Sequence, residues 1–168
     1  MDTADSVVVP ERLLAVVRHA KAESGEEDAD HDRALTARGV TDAADAGRWL
    51  ASRLQDRSQA LGRVWVSSAV RARSTWDAMS PELPAPADLV VERALYHAGA
   101  SDVLERLGAD LLAGDQTGVA VVVGHNPTME HVVRILTGDL HGLRPSAVAL
   151  IALDGEGAGS LVDRWSPH

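Results

Sequence analysis

The stretch "LLAVVRHAKAESG" (residues 13–25) decides the fold. Five apolar residues in succession read as a strand buried on both faces, the pattern of a parallel sheet covered by helices. The run then stops at Arg18 and His19, followed by a small residue, Lys21 and a polar loop. In open α/β sheets ligands lie outside the C-terminal strand ends. A strand that releases two cationic or cationisable side chains at that edge therefore marks a candidate site.

Similar runs recur along the chain: "RVWVS" (63–67), "DLVVE" (88–92), "GVAVVVG" (118–124) and "AVALIAL" (147–153). Helical patterns separate the early ones. Val40, Ala43, Gly47, Leu50 and Leu54 recur at spacings of three and four, with Thr36 as the expected N-cap. "VRARSTWDAM" predicts a shorter helix. "SDVLERLGADLL" predicts another, capped by Ser101, with Val103, Leu104, Leu107 and Leu111 on its core face. In "HNPTMEHVVRIL", Asn126 is the expected cap and Pro127 the first helical residue, with Met129, Val132, Val133 and Leu136 inward. After the turn cluster "DGEGAG", "SLVDRW" predicts the second arm of a hairpin. This alternation implies a three-layer α/β/α domain with a mostly parallel central sheet. The expected organisation is an N-terminal tail over 1–10 and one domain over 11–168.

Composition narrows the function. The formal net charge of −9 argues against a nucleic-acid partner, although it leaves room for a small cationic pocket. With no cysteine in the chain, thiol catalysis, zinc–thiolate sites and iron–sulfur clusters are excluded. The acidic start "MDTADSVVVPER" does not read as a secretory signal, and no apolar run approaches the roughly 20 residues of a membrane span. The expectation is a cytoplasmic protein without a membrane partner.

The strand ends carry the chemistry. The first delivers Arg18 and His19, the second Ser67 and Ser68 with Arg71 as the next helix begins, and the fourth His125 before a helix start. Two arginines and two histidines on one sheet edge, without matching carboxylates, suit a dianionic oxyanion. Guanidinium forks match phosphate geometry and stay charged. Donors around a phosphoryl group stabilise the charge that spreads over its oxygens during transfer, and a histidine can accept that group covalently.

Four motifs, "RHAKAE" (18–23), "RALTARG" (33–39), "SSAVRARST" (67–75) and "VVGHNP" (122–127), resemble in order and spacing the histidine phosphatase superfamily, the phosphoglycerate mutase-like phosphatases. The short length and the alanine after Arg18-His19 resemble its small SixA-type phosphohistidine phosphatases. The resemblance runs from about Leu13 to Leu136 and implies a phosphoglycerate mutase-like fold without large helical insertions. It implies His19 as the nucleophile, Arg18 and Arg71 as phosphate clamps, His125 as the second pocket histidine, and structural roles for Thr36 and Gly39. It implies no cofactor and no metal.

The sequence departs from the family at three places. Ser68 and Ser74 replace a usual Pro and a frequent Gln at positions of turn and packing. Larger members carry a glutamate general acid two residues beyond a leucine after the third strand. Counting from Leu95 puts His97 there, with Glu92 nearby in a different register. Both are candidate proton donors. Without a strong acid, an alkoxide leaving group (parent pKa roughly 16) is hard to expel. Imidazole, with a pKa near 6.5, is not. The expected substrate is therefore phosphohistidine on a protein.

Small phosphate esters or nucleotides, and a phosphate-binding module without turnover, are the alternatives. A metallohydrolase using His19, His97 and His125 is disfavoured, because Arg18 and Arg71 repel a cation. A phosphotransfer domain is disfavoured because its histidine belongs on an exposed bundle helix. The acidic loop "ESGEEDADHD" (23–32) has three readings: a solvated loop, a rim selecting partners with a basic surround, or a proton source through Glu23, Glu26 or Glu27.

Overall fold

The computed structural model describes residues 11–25, 27–112 and 118–168, with the backbone alone at 27, 28 and 112. The tail expected over 1–10 and Glu26 lie outside the described residues.

The first apolar run forms β1 (Arg12–Arg18). There follow α1 (Ala37–Asp56), β2 (Leu61–Ser67), α2 (Val70–Met79), β3 (Asp88–Glu92), α3 (Ala100–Leu112), β4 (Val119–Gly124), α4 (Thr128–Thr137), β5 (Val148–Leu153) and β6 (Gly159–Trp165). The six strands form one sheet in the order β3-β2-β4-β1-β5-β6. The pairs β2–β3, β2–β4 and β1–β4 are parallel, whereas β5 runs antiparallel to both β1 and β6. The sheet is thus mixed, with β5 and β6 as the expected hairpin. Among the described residues α2 and α3 are the only α-helices between β2 and β4, with two short 3₁₀ turns between them, so no large helical insertion interrupts the described chain.

Alternation along the strands builds the two faces. Leu13, Ala15 and Val17 of β1 point to one side with Val64, Val66, Val121 and Val123, and α1 and α2 cover them through Leu50, Leu54, Ala72 and Met79. Leu14 and Val16 point to the other side with Trp65, Ala120 and Val122, beneath α3 and α4 through Val103, Leu107, Val132 and Val133. Burial on both sides explains why these strands read as unbroken apolar runs.

Thr36 caps α1 as expected, its Oγ1 accepting from Gly39 N at 2.9 Å. The core face of α1 loses Val40 and gains Gly39 and Ala46. It runs through Gly39, Ala43, Ala46, Gly47, Leu50 and Leu54, while Val40 is 48% exposed. Close backbone approach sets this seam: a Cβ on Gly39 would lie 2.2 Å from Lys21 O, and one on Gly47 2.4 Å from Met79 O. Glycine occupies the contact, and Val40 is rotated off it.

Two caps also differ. Ser101 lies inside α3, and Asp102 Oδ2 accepts from Gly99 N instead. Pro127 is the N-cap of α4, while the Asn126 amide donates to Glu130 Oε1 and to the Leu143 carbonyl. Asn126 therefore ties the helix start to a later loop. It does not cap the helix.

Gly47→Ala should destabilise the protein by about 1–3 kcal/mol, because the new methyl meets backbone and no flexible side chain can yield. Urea unfolding should show a lower midpoint with an unchanged slope; an unchanged midpoint contradicts the close approach of α1 to Met79.

Candidate active site

Parallel register brings the two histidines together. Arg18 of β1 pairs with Gly124 of β4, so the next residues, His19 and His125, leave the sheet side by side. His19 N donates to Gly124 O at 2.9 Å, and the two imidazole centroids lie 5.2 Å apart. On the other flank of β4, Val66 of β2 pairs with Val123, which puts Ser67 level with the same edge. Ser67 Oγ lies 2.7 Å from His125 Nε2.

The ring of His19 is oriented by its own loop. Its Nδ1 lies 2.7 Å from the Ala20 carbonyl, which can only accept, so Nδ1 carries the hydrogen and Nε2 the lone pair. Ala20 N donates in turn to Thr75 Oγ1 at 2.8 Å, and Thr75 Oγ1 donates to the Arg71 carbonyl at 2.7 Å. Thr75, in the second turn of α2, thus couples the His19 loop to the turn that carries Arg71.

Burial leaves both imidazoles neutral at pH 7. It is the largest cause of the His19 pKa falling to about 4; the Ala20 hydrogen bond opposes it, and Arg71, Arg18 and Arg33 add to it. The His125 pKa falls to about 3, again through burial first, then through the neighbouring His19 and Arg71.

Arg71 is 6% exposed and is braced by the acidic loop. Its Nη1 donates to the Asp30 carbonyl at 2.7 Å and its Nη2 to Asp30 Oδ2 at 3.2 Å. The Asp30 carboxylate also accepts from Arg33 Nε at 3.0 Å and from the Tyr96 hydroxyl. The Tyr96 bond is the main reason the Asp30 carboxyl sits below its usual range, with Arg71 and Arg33 contributing and burial opposing. The ring of Tyr96 meets His125 edge-on at 5.6 Å. Arg18, half-buried, donates through Nη1 to the Leu143 carbonyl at 2.8 Å.

These side chains surround a cavity of about 320 Å³, walled by Arg18, His19, Arg71 and His125, with Lys21, Arg33 and Asn126 at its edge. Among the described residues no carboxylate lines it. A larger cleft of about 570 Å³ lies beside β3 and α3, but its two arginines are ion-paired, Arg63 with Asp88 and Asp110 and Arg106 with Glu92, and Asp102 and Glu105 leave it an excess of negative charge. The smaller cavity is the one that offers free positive charge to a ligand.

Of the residues singled out in the sequence, Arg18, His19, Arg71 and His125 therefore converge. Glu92 and His97 do not join them. Glu92 is held by Arg106 at 2.6 Å and accepts from Ala94 N in the larger cleft. His97 is exposed, its ring against Tyr96. Nor do His19, His97 and His125 form a metal site: among the described residues no group of three or more His, Asp or Glu is placed to hold an ion. Sequence reasoning missed Asp30, Arg33, Thr75 and Tyr96. Arg33 and Thr75 stand inside the quoted motifs, whereas nothing distinguishes Asp30 within a run of carboxylates.

No protein-family model matches the chain. The uncharacterized protein Rv1276c of Mycobacterium tuberculosis is 37% identical over 120 residues, 71% of this chain and 69% of that one. Among solved structures, the protein histidine phosphatase SixA complexed with tungstate aligns over 92% of this chain and 96% of its own, with 25% identity and a TM-score of 0.79. A SixA-type chain from Agrobacterium tumefaciens aligns over 93% and 98%, with 27% identity and a TM-score of 0.78. The chain belongs to the histidine phosphatase superfamily. Its phosphoglycerate mutase-like fold extends to a phosphoglycerate mutase of Plasmodium falciparum, at a TM-score of 0.64. In this member no described helix is long and apolar enough to cross a membrane.

The superfamily's histidine pair should titrate unusually here. In NMR of ¹⁵N-labelled protein, the His19 imidazole should show a midpoint near 4, well below the free value of about 6.5. A midpoint at 6 or above contradicts the buried, cation-flanked placement. Asp30→Asn removes the negative charge beside Arg71 and should weaken inorganic phosphate binding several-fold through a misplaced guanidinium, with Tm lowered by only a few degrees. Phosphate affinity unchanged in that variant contradicts the bracing role.

Proposed function

We propose that this protein is a metal-independent phosphatase that works through a phosphoryl group carried on His19, and that its substrate is phosphohistidine on a protein. The observation that carries this reading is the neutral His19, its Nε2 lone pair free, beside Arg18 and Arg71 in a cavity that no described carboxylate lines.

The chemistry runs in two displacements. His19 Nε2 attacks phosphorus, the bond from phosphorus to the substrate imidazole breaks, and that imidazole leaves with the bonding pair. Water then attacks phosphorus, the bond to His19 Nε2 breaks, and inorganic phosphate is released with His19 restored. Arg18 and Arg71 hold the equatorial oxygens through both steps, and His125 faces the same group.

The leaving group decides the substrate. Protonated at its distal nitrogen, a phosphoimidazole expels a neutral ring, so no enzyme acid is required. An alcohol leaving group needs a proton delivered during bond breaking; of the candidates for that role Glu92, His97 and Glu23 stand outside the cavity, while Glu26 and the Glu27 side chain lie outside the described residues. Access fits the same reading. Beyond the short 3₁₀ turn at Glu27–Asp32, no inserted helix covers the site among the described residues, which leaves it reachable by a side chain on a protein surface. The tungstate bound by the SixA neighbour is a tetrahedral oxyanion, the ligand class this cavity suits.

The test is phosphate release from a phosphohistidine-bearing protein and from a phosphomonoester of equal accessibility, both in excess chelator. Release from phosphohistidine should be much the faster, and His19→Ala should reduce it by at least about a thousandfold. Faster release from the ester sinks the leaving-group argument. No release from either substrate leaves a phosphate-binding module.

A further inference from the structure

Directly beside the catalytic cavity lies a second concavity of about 300 Å³. The two share Lys21 and Pro145, and the second is lined further by Arg38, Asp42, Arg144 and His168. Arg38 is engaged by Asp42 and by a main-chain oxygen of His168, which leaves Lys21 and Arg144 as the cations that face the concavity, on a chain whose net charge is −9. Asp42 lies 3.5 Å from Arg38 Nε and is only 18% exposed. Arg38 Nη2 also donates to the main-chain oxygen of His168. Lys21 and Arg144 are exposed, and neither makes an ion pair among the described residues. The helix α1 opens beside this concavity with no acidic residue in its first turn, so the positive end of its dipole adds to the field.

We infer that this concavity is a subsite for a second anionic group, a carboxylate or phosphate, on the molecule whose phosphoryl group enters the cavity at His19. The inference rests on the phosphatase reading for the first group and names what surrounds it. On a phosphoprotein the second group is an aspartate or glutamate near the phosphohistidine. On a small molecule it is a second acidic substituent. Among the described carboxylates of the acidic loop, Asp30 is taken up by Arg71, Arg33 and Tyr96 and so offers no free charge to a partner with a basic surround. Exposed charges such as Lys21 and Arg144 act on selection and encounter more than on the chemical step.

The experiment compares two phosphohistidine peptides that differ only in glutamate or glutamine at the flanking positions. Wild-type kcat/KM should favour the acidic peptide by roughly five- to tenfold at low salt, and the preference should shrink at 0.3 M salt. The Arg38→Gln/Arg144→Gln pair should abolish the preference while turning over the neutral peptide at the wild-type rate. Arg144→Glu, a loop substitution clear of the α1 start, should invert it. Equal kcat/KM for both peptides in wild type together with no gain from a second carboxylate on small monoesters, or a preference that survives both variants, overturns the subsite. A parallel arm with small monoesters, with and without a second carboxylate, identifies the source: a gain confined to those esters assigns the subsite to a small molecule.

Non-hydrolysable phosphonate analogues of the two peptides, bound to His19→Ala and followed by fluorescence anisotropy, separate the two readings. If wild type releases phosphate from neither peptide, the phosphatase reading falls. The subsite then stands on tighter binding of the acidic analogue and falls on equal binding.

Discussion

The parallel pairing of β1 with β4 is the constraint on which the site depends. Because Arg18 lies opposite Gly124, the two strands end at one level, and the residues after them emerge as neighbours. A one-residue slip would send every β1 side chain to the opposite face, exchanging Leu13, Ala15 and Val17 for Leu14 and Val16 against α1 and α2. The apolar register that packs the core therefore also aligns the chemistry. At Gly124 an added Cβ would lie 3.0 Å from Met129 Sδ, so the thioether of α4 packs directly on the turn before His125.

A second dependence concerns charge. Arg71 is nearly buried, and a buried guanidinium is costly unless its donors are satisfied. Asp30 supplies two acceptors at once, its carbonyl and its carboxylate, and is held in turn by Arg33 and Tyr96. The base of that loop is closed by backbone bonds from Glu23 to Ala34 and from Thr36 to Lys21. An excursion that reads as a solvated acidic run thus contributes, among its described residues, a partly exposed carboxylate that positions a cation at the site. Net charge is blind to this arrangement: one acidic residue turned inward does different work from its neighbours in sequence.

The sheet was legible because strands buried on both faces leave a strong mark, and the β1, β2 and β4 runs carry it without interruption. The convergence of Arg18, His19, Arg71 and His125 followed from those strand ends alone. What the sequence did not disclose depends on contacts between distant segments. The exposure of Val40 follows from glycine seams against Lys21 and Met79, which helical periodicity cannot foresee. Asp30 reaches Arg71 across forty-one positions and Tyr96 across sixty-six. Counting residues after β3 pointed to His97, whereas the adjacent Tyr96 turns toward the site, since successive side chains of a 3₁₀ turn point in different directions.

The depressed His19 pKa acquires its meaning when a phosphoryl dianion is bound. At an effective dielectric constant of about 20, one unit charge about 4 Å away is worth roughly 4 kcal/mol, or about three pK units. An uncompensated dianion would therefore drive a proton onto His19 and remove the lone pair needed for attack. Arg18, Arg71 and Arg33, with the Asp30 carboxylate between the last two, leave two net positive charges to offset the dianion. Compensation alone would return the imidazole only to its ordinary value near 6.5. Burial, the largest cause of the shift to about 4, is what keeps the ring unprotonated at neutral pH once those charges cancel. The arginines and the buried edge of the sheet therefore solve different halves of one problem. Replacing either half with more of the other would not serve: further cations would retain the phosphate product, and further burial without cations would exclude it.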